Sequence, residues 1–265
     1  MNKSTRIPYG PDQLQFGDLR LPSGPGPYPV AIVIHGGFWL AFYDLTLMDS
    51  ICAALTEAGV ATWNIEYRRV GNRGGGWPGT FQDVGLAADH LRELAPRNNL
   101  DLDRVVSLGH SAGGHLALWL AGRHRIPAGN VLSSGTGGPL PLKTVVSLAG
   151  VNDLEWAARR RVGMGAVERL IGGGPDTHPE RYAVGSPAAL LPLGVRQVLI
   201  HGTDDDIVPF EIGRAYRDAA VARGDDVSLV ALPGAGHFEV VDPGSREWPQ
   251  IMSEVLKLVD GASQR

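Results

Sequence analysis

Continuous apolar runs of strand length alternate along this chain with longer segments whose apolar residues recur every three to four positions. Residues 29–35 (PVAIVIH) are rich in β-branched side chains and uninterrupted by charge, as expected of a strand buried on both faces. Similar runs predict strands over 60–65, 104–109, 144–148, 196–201 and 227–232. Helical spacing predicts helices over 47–58, 81–94, 112–121, 210–223 and 248–259, with Gly59 placed to end the first. Residues 14–19 read as an antiparallel strand at the start. Strand and helix taking turns in this way imply an α/β fold, a mostly parallel central sheet flanked by helices on both faces.

The alternation breaks over 151–193. That stretch holds Trp156, Arg159-Arg160-Arg161, Gly172-Gly173-Gly174-Pro175 and further prolines, and it reads as an insertion over one edge of the sheet. Neither a repeat nor a linker is visible, so 1–265 reads as one domain with 151–193 as a small cap-like insertion. A chain of 265 residues buries about three-quarters of its unfolded surface and needs no disulfide or metal staple. Its 36 glycines and 19 prolines sit in short loops, not low-complexity tracts, which points to tight turns.

Charge and cysteine usage narrow the function classes. A net charge of −4, with basic residues only in brief groups and no aromatic interleaving, argues against a nucleic-acid partner. Arg159, Arg160 and Arg161 read as a solvated helix face rather than a patch for an acidic substrate. Cys52, the single cysteine, lies in the apolar run 51–55 and reads as a small buried hydrophobe. The opening residues are followed by Pro8 and Gly10 rather than an apolar segment, and no run is long enough to span a bilayer. A cytoplasmic protein without membrane attachment is the expectation.

The sharpest chemical signal is Gly109-His110-Ser111-Ala112-Gly113-Gly114, between a predicted strand and a predicted helix. In G-x-S-x-G a serine sits on a tight strand-to-helix turn, its oxygen exposed and the helix N-terminus facing a developing oxyanion. The pattern is common by chance. Its place after RVVSL and before HLALWLA makes an incidental glycine turn the weaker reading. Directly after the first buried strand comes His35-Gly36-Gly37-Phe38-Trp39. In a serine hydrolase such a loop supplies backbone N–H groups to the oxyanion, here from Gly37 and Phe38, joined by Ala112. His35 reads as a brace for that turn rather than as a proton carrier.

A serine hydroxyl becomes a competent nucleophile when a neutral imidazole takes its proton, and the imidazole needs a carboxylate to fix its tautomer. Late strands lead into His201-Gly202-Thr203-Asp204-Asp205-Asp206-Ile207-Val208-Pro209 and then Gly234-Ala235-Gly236-His237-Phe238. His237 is the candidate base. On residue chemistry alone Asp204, Asp205 and Asp206 are equivalent candidates for the acid. Asp153, after the preceding strand, is a more distant one that reads better as a turn or helix cap. No HExxH or histidine-rich cluster accompanies His110 and His115, so neither a metal nor a cofactor is expected. His90, His124 and His178 read as surface or helix-end residues.

The order Ser, Asp, His and the motifs around it resemble the α/β-hydrolase superfamily over nearly the whole length. More narrowly, HGGFW with GHSAGGH is similar to the branch holding kynurenine formamidase (arylformamidase) and related small carboxylesterases, which carry an HGGxW oxyanion loop. Asn64-Ile65-Glu66-Tyr67-Arg68 resembles a segment of that branch and of hormone-sensitive-lipase relatives, whose own loop is HGGG. HGTDDDIVP resembles the H-G-x-x-D-x-x-V-P form shared with dienelactone-hydrolase-like and prolyl-oligopeptidase-like members, and that register implies Asp205 as the acid. In the superfamily's strand count the insertion follows the sixth strand.

The resemblance implies a serine carboxylesterase acting on short acyl esters through an acyl-enzyme, with Ser111, His237 and Asp205 as its triad. The nearest alternative is an arylformamidase cleaving N-formylkynurenine with the same machinery. A non-catalytic binding module is remote, because serine, acid and base are all present. In this fold Phe38 and Trp39 on the oxyanion loop and Phe238 after the base lie near the acyl centre. With His110 as pocket floor, and Leu154 and Trp156 from the insertion, they form the expected substrate wall. The expected partner is a small-molecule ester or formamide; the sequence leaves the natural substrate and the oligomeric state open, a homodimer included.

Overall fold

The computed structural model describes residues 4–261. One sheet of eight strands has the order β1-β2-β4-β3-β5-β6-β7-β8. The strands are β1 (Thr5–Pro8), β2 (Phe16–Arg20), β3 (Tyr28–Ile34), β4 (Ala61–Ile65), β5 (Leu100–His110), β6 (Thr144–Leu148), β7 (Arg196–Gly202) and β8 (Val227–Leu232). The pairs β1–β2 and β2–β4 are antiparallel, and every other pair is parallel. Between and after the strands come α1 (Asp49–Glu57), α2 (Gly79–Asp89), α3 (Leu91–Asn98), α4 (Ala112–Gly122), α5 (Leu154–Arg159), α6 (Ala166–Ile171), α7 (Pro179–Gly185), α8 (Pro187–Leu190), α9 (Phe210–Ala222) and α10 (Trp248–Gly261).

Successive residues of β3 enter opposite cores. Val30, Ile32 and Ile34 pack with Trp63, Phe81, Leu116, Trp119 and Tyr216; Ala31 and Val33 pack with Ile51, Leu55, Ile251 and Val255. Hence α1 and α10 cover one face, while α2, α3, α4, α9 and the helices after β6 cover the other. A sheet so covered has no solvated side, which is why its central strands read as largely apolar runs. This strand order with covered faces is the α/β-hydrolase fold.

Several elements depart from the sequence reading. β1 is absent from it: its four residues are largely exposed and end in Pro8, so they carry no periodic signal, and only pairing with β2 defines them as an edge strand. The strand predicted over 14–19 starts at Phe16, because Gln15 N–H and Leu14 N–H both turn back onto Asp12 (2.9 Å each). The helix predicted over 81–94 is two helices, α2 and α3, meeting at His90; α3 ends at Asn99, whose φ of 52° is left-handed.

The segment 151–193 follows β6 and holds α5, α6, α7 and α8, whose Leu154, Ala157, Leu170 and Tyr182 belong to the same core as α4. Arg159 is exposed and pairs with Glu155 and Asp176, while Arg160 lies over the Trp156 ring. Cys52 is buried, and burial pushes its thiol up to about 12. Among the described residues no helix is long and apolar enough to cross a membrane.

Candidate active site

Parallel strands β3, β5, β6, β7 and β8 end along one edge of the sheet, so the loops leaving them gather there. β5 runs to His110, α4 begins at Ala112, and Ser111 alone makes the turn, at φ 57° and ψ −119°. Such a conformation costs a non-glycine residue about 1–3 kcal/mol. Neighbouring strands hold it: Ser111 N–H donates to Leu148 O at the end of β6 (2.8 Å), and Val151 N–H donates to Ser111 O (3.3 Å). A Cβ at Gly109 would lie 2.0 Å from Gly113 O, and one at Gly113 would lie 2.1 Å from Ile34 O. The glycines therefore let α4 start closer to β3 and β5 than any side chain allows. Ala112, the first residue of the helix, has no intrahelical acceptor for its N–H.

After β3 the backbone turns through positive φ at Gly37 (103°), Phe38 (52°) and Trp39 (55°), closed by Leu40 N–H donating to Gly37 O (3.0 Å). Among the described residues the amides of Gly37 and Phe38 donate to no protein acceptor. Behind this loop lies a buried network. His35 donates from Nε2 to Glu66 Oε1 (3.1 Å) and stacks on Tyr67 (4.4 Å), whose hydroxyl donates to His35 O (2.8 Å). Glu66 also accepts from Tyr67 N–H (2.9 Å) and Leu45 N–H (3.2 Å) and forms an ion pair with Arg69 (3.2 Å), and Arg69 donates to Tyr43 O. The sequence reading noticed 64–68 only as a likeness and gave Glu66 and Arg69 no role. Their signal was charge directly after a strand that carries none, which is tolerated in a buried position only when the charges are paired.

At the end of β7 the three adjacent aspartates part company. Asp204 and Asp206 are exposed, while Asp205 is buried. Asp205 Oδ1 accepts from Ile207 N–H (2.9 Å) and Val208 N–H (2.8 Å), and its Oδ2 accepts from His237 Nδ1 (2.7 Å). His201 Nε2 donates to Val208 O (2.8 Å) and lies 3.2 Å from the same Oδ2. Burial alone would raise the Asp205 carboxyl; the hydrogen bonds from His201 and His237 outweigh it and hold the group well below the usual carboxylate range. Asp153 caps α5 instead, accepting from Trp156 N–H (3.1 Å).

The loop that carries His237 is stitched to the acid loop by Thr203 N–H to Leu232 O (3.0 Å), Asp204 N–H to Ala235 O (3.0 Å) and Gly234 N–H to Thr203 Oγ1 (2.9 Å). His110 fastens it from the other side, donating from Nε2 to His237 O (3.0 Å) with the two rings 4.6 Å apart. Burial, reinforced by His237, pushes His110 down to about 3, so it stays a neutral donor. The residue before the serine thus holds the loop bearing the imidazole.

The expected substrate wall divides. Phe238 is 59% exposed, its ring edge-on to His237 (5.2 Å) and 5.9 Å from His110. Trp156 is half-buried beneath Arg160. Trp39 and Leu154 are core residues, 1% and 0% exposed; Trp39 meets the His115 ring edge-on at 5.3 Å. Both are enclosed in the core and present no face to solvent. A cavity of about 670 Å³ lies at the opposite edge of the sheet, lined by Leu142, Thr144, Val195, Arg196, Asp225 and Lys257 among others, and shares no residue with this site. Among the described residues no group of three or more His, Cys, Asp or Glu is placed to hold a metal ion.

Similarity to known proteins fits this geometry. Esterase LipC of Mycobacterium tuberculosis is 30% identical over 253 residues, covering 92% of this chain and 62% of LipC. The acylamino-acid-releasing enzyme of Rattus norvegicus is 26% identical, over 86% of this chain and 32% of that one. The chain thus spans less than two-thirds of either relative. In fold, a truncated carbohydrate esterase from gut microbiota matches with a TM-score of 0.83 at 23% identity, over 98% of this chain and 96% of its own. Esterase B from Lactobacillus rhamnosis matches with a TM-score of 0.82 at 21% identity, over 100% of this chain and 86% of its own. The BD-FAE family model matches residues 18–219, a span that takes in the Ser111 turn and Asp205 and stops short of His237. On that match, which covers most of its length, the chain belongs to the BD-FAE family.

Proposed function

We propose that this protein is a serine carboxylesterase that hydrolyses short-chain acyl esters through an acyl-enzyme intermediate. The observation that carries the reading is the 2.7 Å bond from His237 Nδ1 to a buried, ionised Asp205, at the strand edge where Ser111 occupies a strained turn. With Nδ1–H so engaged, His237 Nε2 is left to act as base.

His237 Nε2 takes the Ser111 proton as Oγ bonds to the ester carbonyl carbon, and the carbonyl electron pair moves onto its oxygen. The N–H groups of Gly37, Phe38 and Ala112 receive that charge. Collapse of the tetrahedral species breaks the carbon–alkoxide bond, the imidazolium protonates the departing alcohol, and Ser111 is left acylated. Water, deprotonated by the same Nε2, then attacks; the acid leaves and Ser111 regains its proton. Asp205 stabilises the imidazolium without taking a proton itself. The segment 151–193 serves as the cap. Buried Trp39 and Leu154 fill the space behind the oxyanion loop, which supports a small acyl group, and exposed Phe238 suits an apolar leaving group. The esterase relative LipC supports the ester as the bond cleaved.

Ser111→Ala is expected to lower hydrolysis of p-nitrophenyl acetate by about 10⁴-fold or more and to abolish labelling by a fluorophosphonate. Near-normal turnover by that variant would overturn the assignment. A second reading, cleavage of an aryl formamide, rests on the HGGFW loop together with the aromatic mouth at Phe238. The ratio of kcat/KM for a formyl anilide and for a butyrate ester separates the two, and a preference of about tenfold or more for the anilide replaces the first reading with the second.

A further inference from the structure

We infer that Gly163 is a positioning residue for the oxyanion loop: its bare Cα seats the Phe38 ring and so fixes the orientation of the Phe38 amide. The inference rests on the reading of that amide as an oxyanion donor. Phe38 holds φ at 52°, an unfavourable value for a residue with a side chain, and rotation about that bond would swing its own N–H away. Something must hold the residue there. On one side Phe38 packs against the core that encloses Trp39, the next residue. On the other side the Phe38 ring lies against the turn between α5 and α6, so close that a Cβ at Gly163 would stand 2.3 Å and 2.5 Å from two ring carbons.

The turn is a firm ledge. Val162 N–H donates to Ala157 O (3.0 Å), Met164 N–H to Arg161 O (3.0 Å) and Ala166 N–H to Gly163 O (3.2 Å), and Val162 and Ala166 are anchored in the core. A plainer account makes residue 163 glycine because its φ is +64°. That account is insufficient, since Arg161 and Met164 adopt φ of 55° and 52° in the same turn while carrying full side chains. Conformation alone does not exclude a Cβ at 163. The Phe38 ring does.

Gly165 supplies the matched control: its φ is +82°, yet a Cβ there would meet only Glu168 Oε2, at 3.8 Å. Gly163→Ala and Gly165→Ala thus impose similar backbone strain on one turn, and only the first pushes on Phe38. With p-nitrophenyl acetate, Gly163→Ala is expected to lower kcat about tenfold or more with KM within about twofold, and to slow fluorophosphonate labelling of Ser111 in parallel, because the loss falls on transition-state charge. Gly165→Ala should stay within about twofold of wild type in both. Phe38→Leu keeps the amide, removes the ring and leaves the turn untouched, so it tests the same contact even where Gly163→Ala fails to fold; its kcat should fall as well, and adding Gly163→Ala to it should cost less than about twofold more. Equal kcat for the two glycine variants, full kcat in Phe38→Leu, or a tenfold further loss in the double variant overturns the inference. A wild-type protein whose Ser111 takes no label sinks the esterase reading and this inference with it; a labelled wild type with an unaffected Gly163→Ala sinks the inference alone.

Discussion

Three aspartates in a row carry the same chemistry and differ by one residue of turn register. Residue chemistry could not separate them, and only the resemblance pointed to Asp205, because the choice depends on which amides close the turn. In the folded chain the N–H groups of Ile207 and Val208 both reach Asp205 Oδ1, which leaves Oδ2 free to accept from His237. Asp205→Asn presents an amide where His237 needs an acceptor and favours the wrong tautomer. It is expected to lower kcat by about 10³–10⁴-fold, whereas Asp204→Asn and Asp206→Asn, both at exposed positions, should remain within about twofold. A full loss in either neighbour with an active Asp205→Asn would move the acid. The strand-to-helix turn at Ser111 and the strand-end loop that carries His237, by contrast, were legible from the one-dimensional order of motifs, since both are marked by glycines and a polar residue directly after an apolar run. The placement of Trp39 and Leu154 was not legible: apolar character marks a side chain for burial and does not say whether it lines a site or lies behind it.

Among elements, the central parallel strands were easy to read because burial on both faces leaves a largely apolar run, while β1, short and exposed at the edge, leaves none. The harder element to read was the loop after β3, whose shape is set from another strand. Glu66, leaving β4, accepts from His35 and the amides of Leu45 and Tyr67 and pairs with Arg69, so one carboxylate ties together the loops that leave β3 and β4. Glu66 and Arg69 are 2% and 3% exposed. Breaking such a buried pair strands a charge, so Glu66→Gln is expected to destabilise the fold by about 3–5 kcal/mol, roughly 6–15 °C in Tm. Thermal or urea unfolding measures it. A change below about 1 kcal/mol would show that the network does not brace the loop.

At the scale of the whole molecule, packing helices over both faces of the sheet encloses polar groups that an open sheet would leave wet, and this gives stability a pH dependence. Burial pushes His110 down to about 3 and His115 to about 4, against about 6.5 for an unfolded histidine. Both pKa values are lower in the folded state. Above about pH 7 neither state binds these protons and stability is flat; between about 6.5 and 4 the unfolded chain takes up two protons that the folded chain refuses. Stability should therefore fall on acidification with a slope approaching ~3 kcal/mol per pH unit near the middle of that window. Asp205, held below its ordinary range, adds to the loss only under the normal aspartate pKa, near pH 4. Asp153, raised by burial, acts in the opposite sense and takes off a fraction of the slope there. His115 is the more useful group to remove, because it packs between Trp39 and Phe81 and bonds Gly185 O, outside the proposed proton path. His115→Phe will lower stability at every pH through the lost bond, yet its slope between pH 6 and 4.5 should fall from about two protons to about one. Denaturant unfolding at half-unit steps from pH 8 to 4.5 reads that slope directly, and a profile as flat at pH 5 as at pH 8 would mean that these histidines are hydrated and protonated in the folded protein.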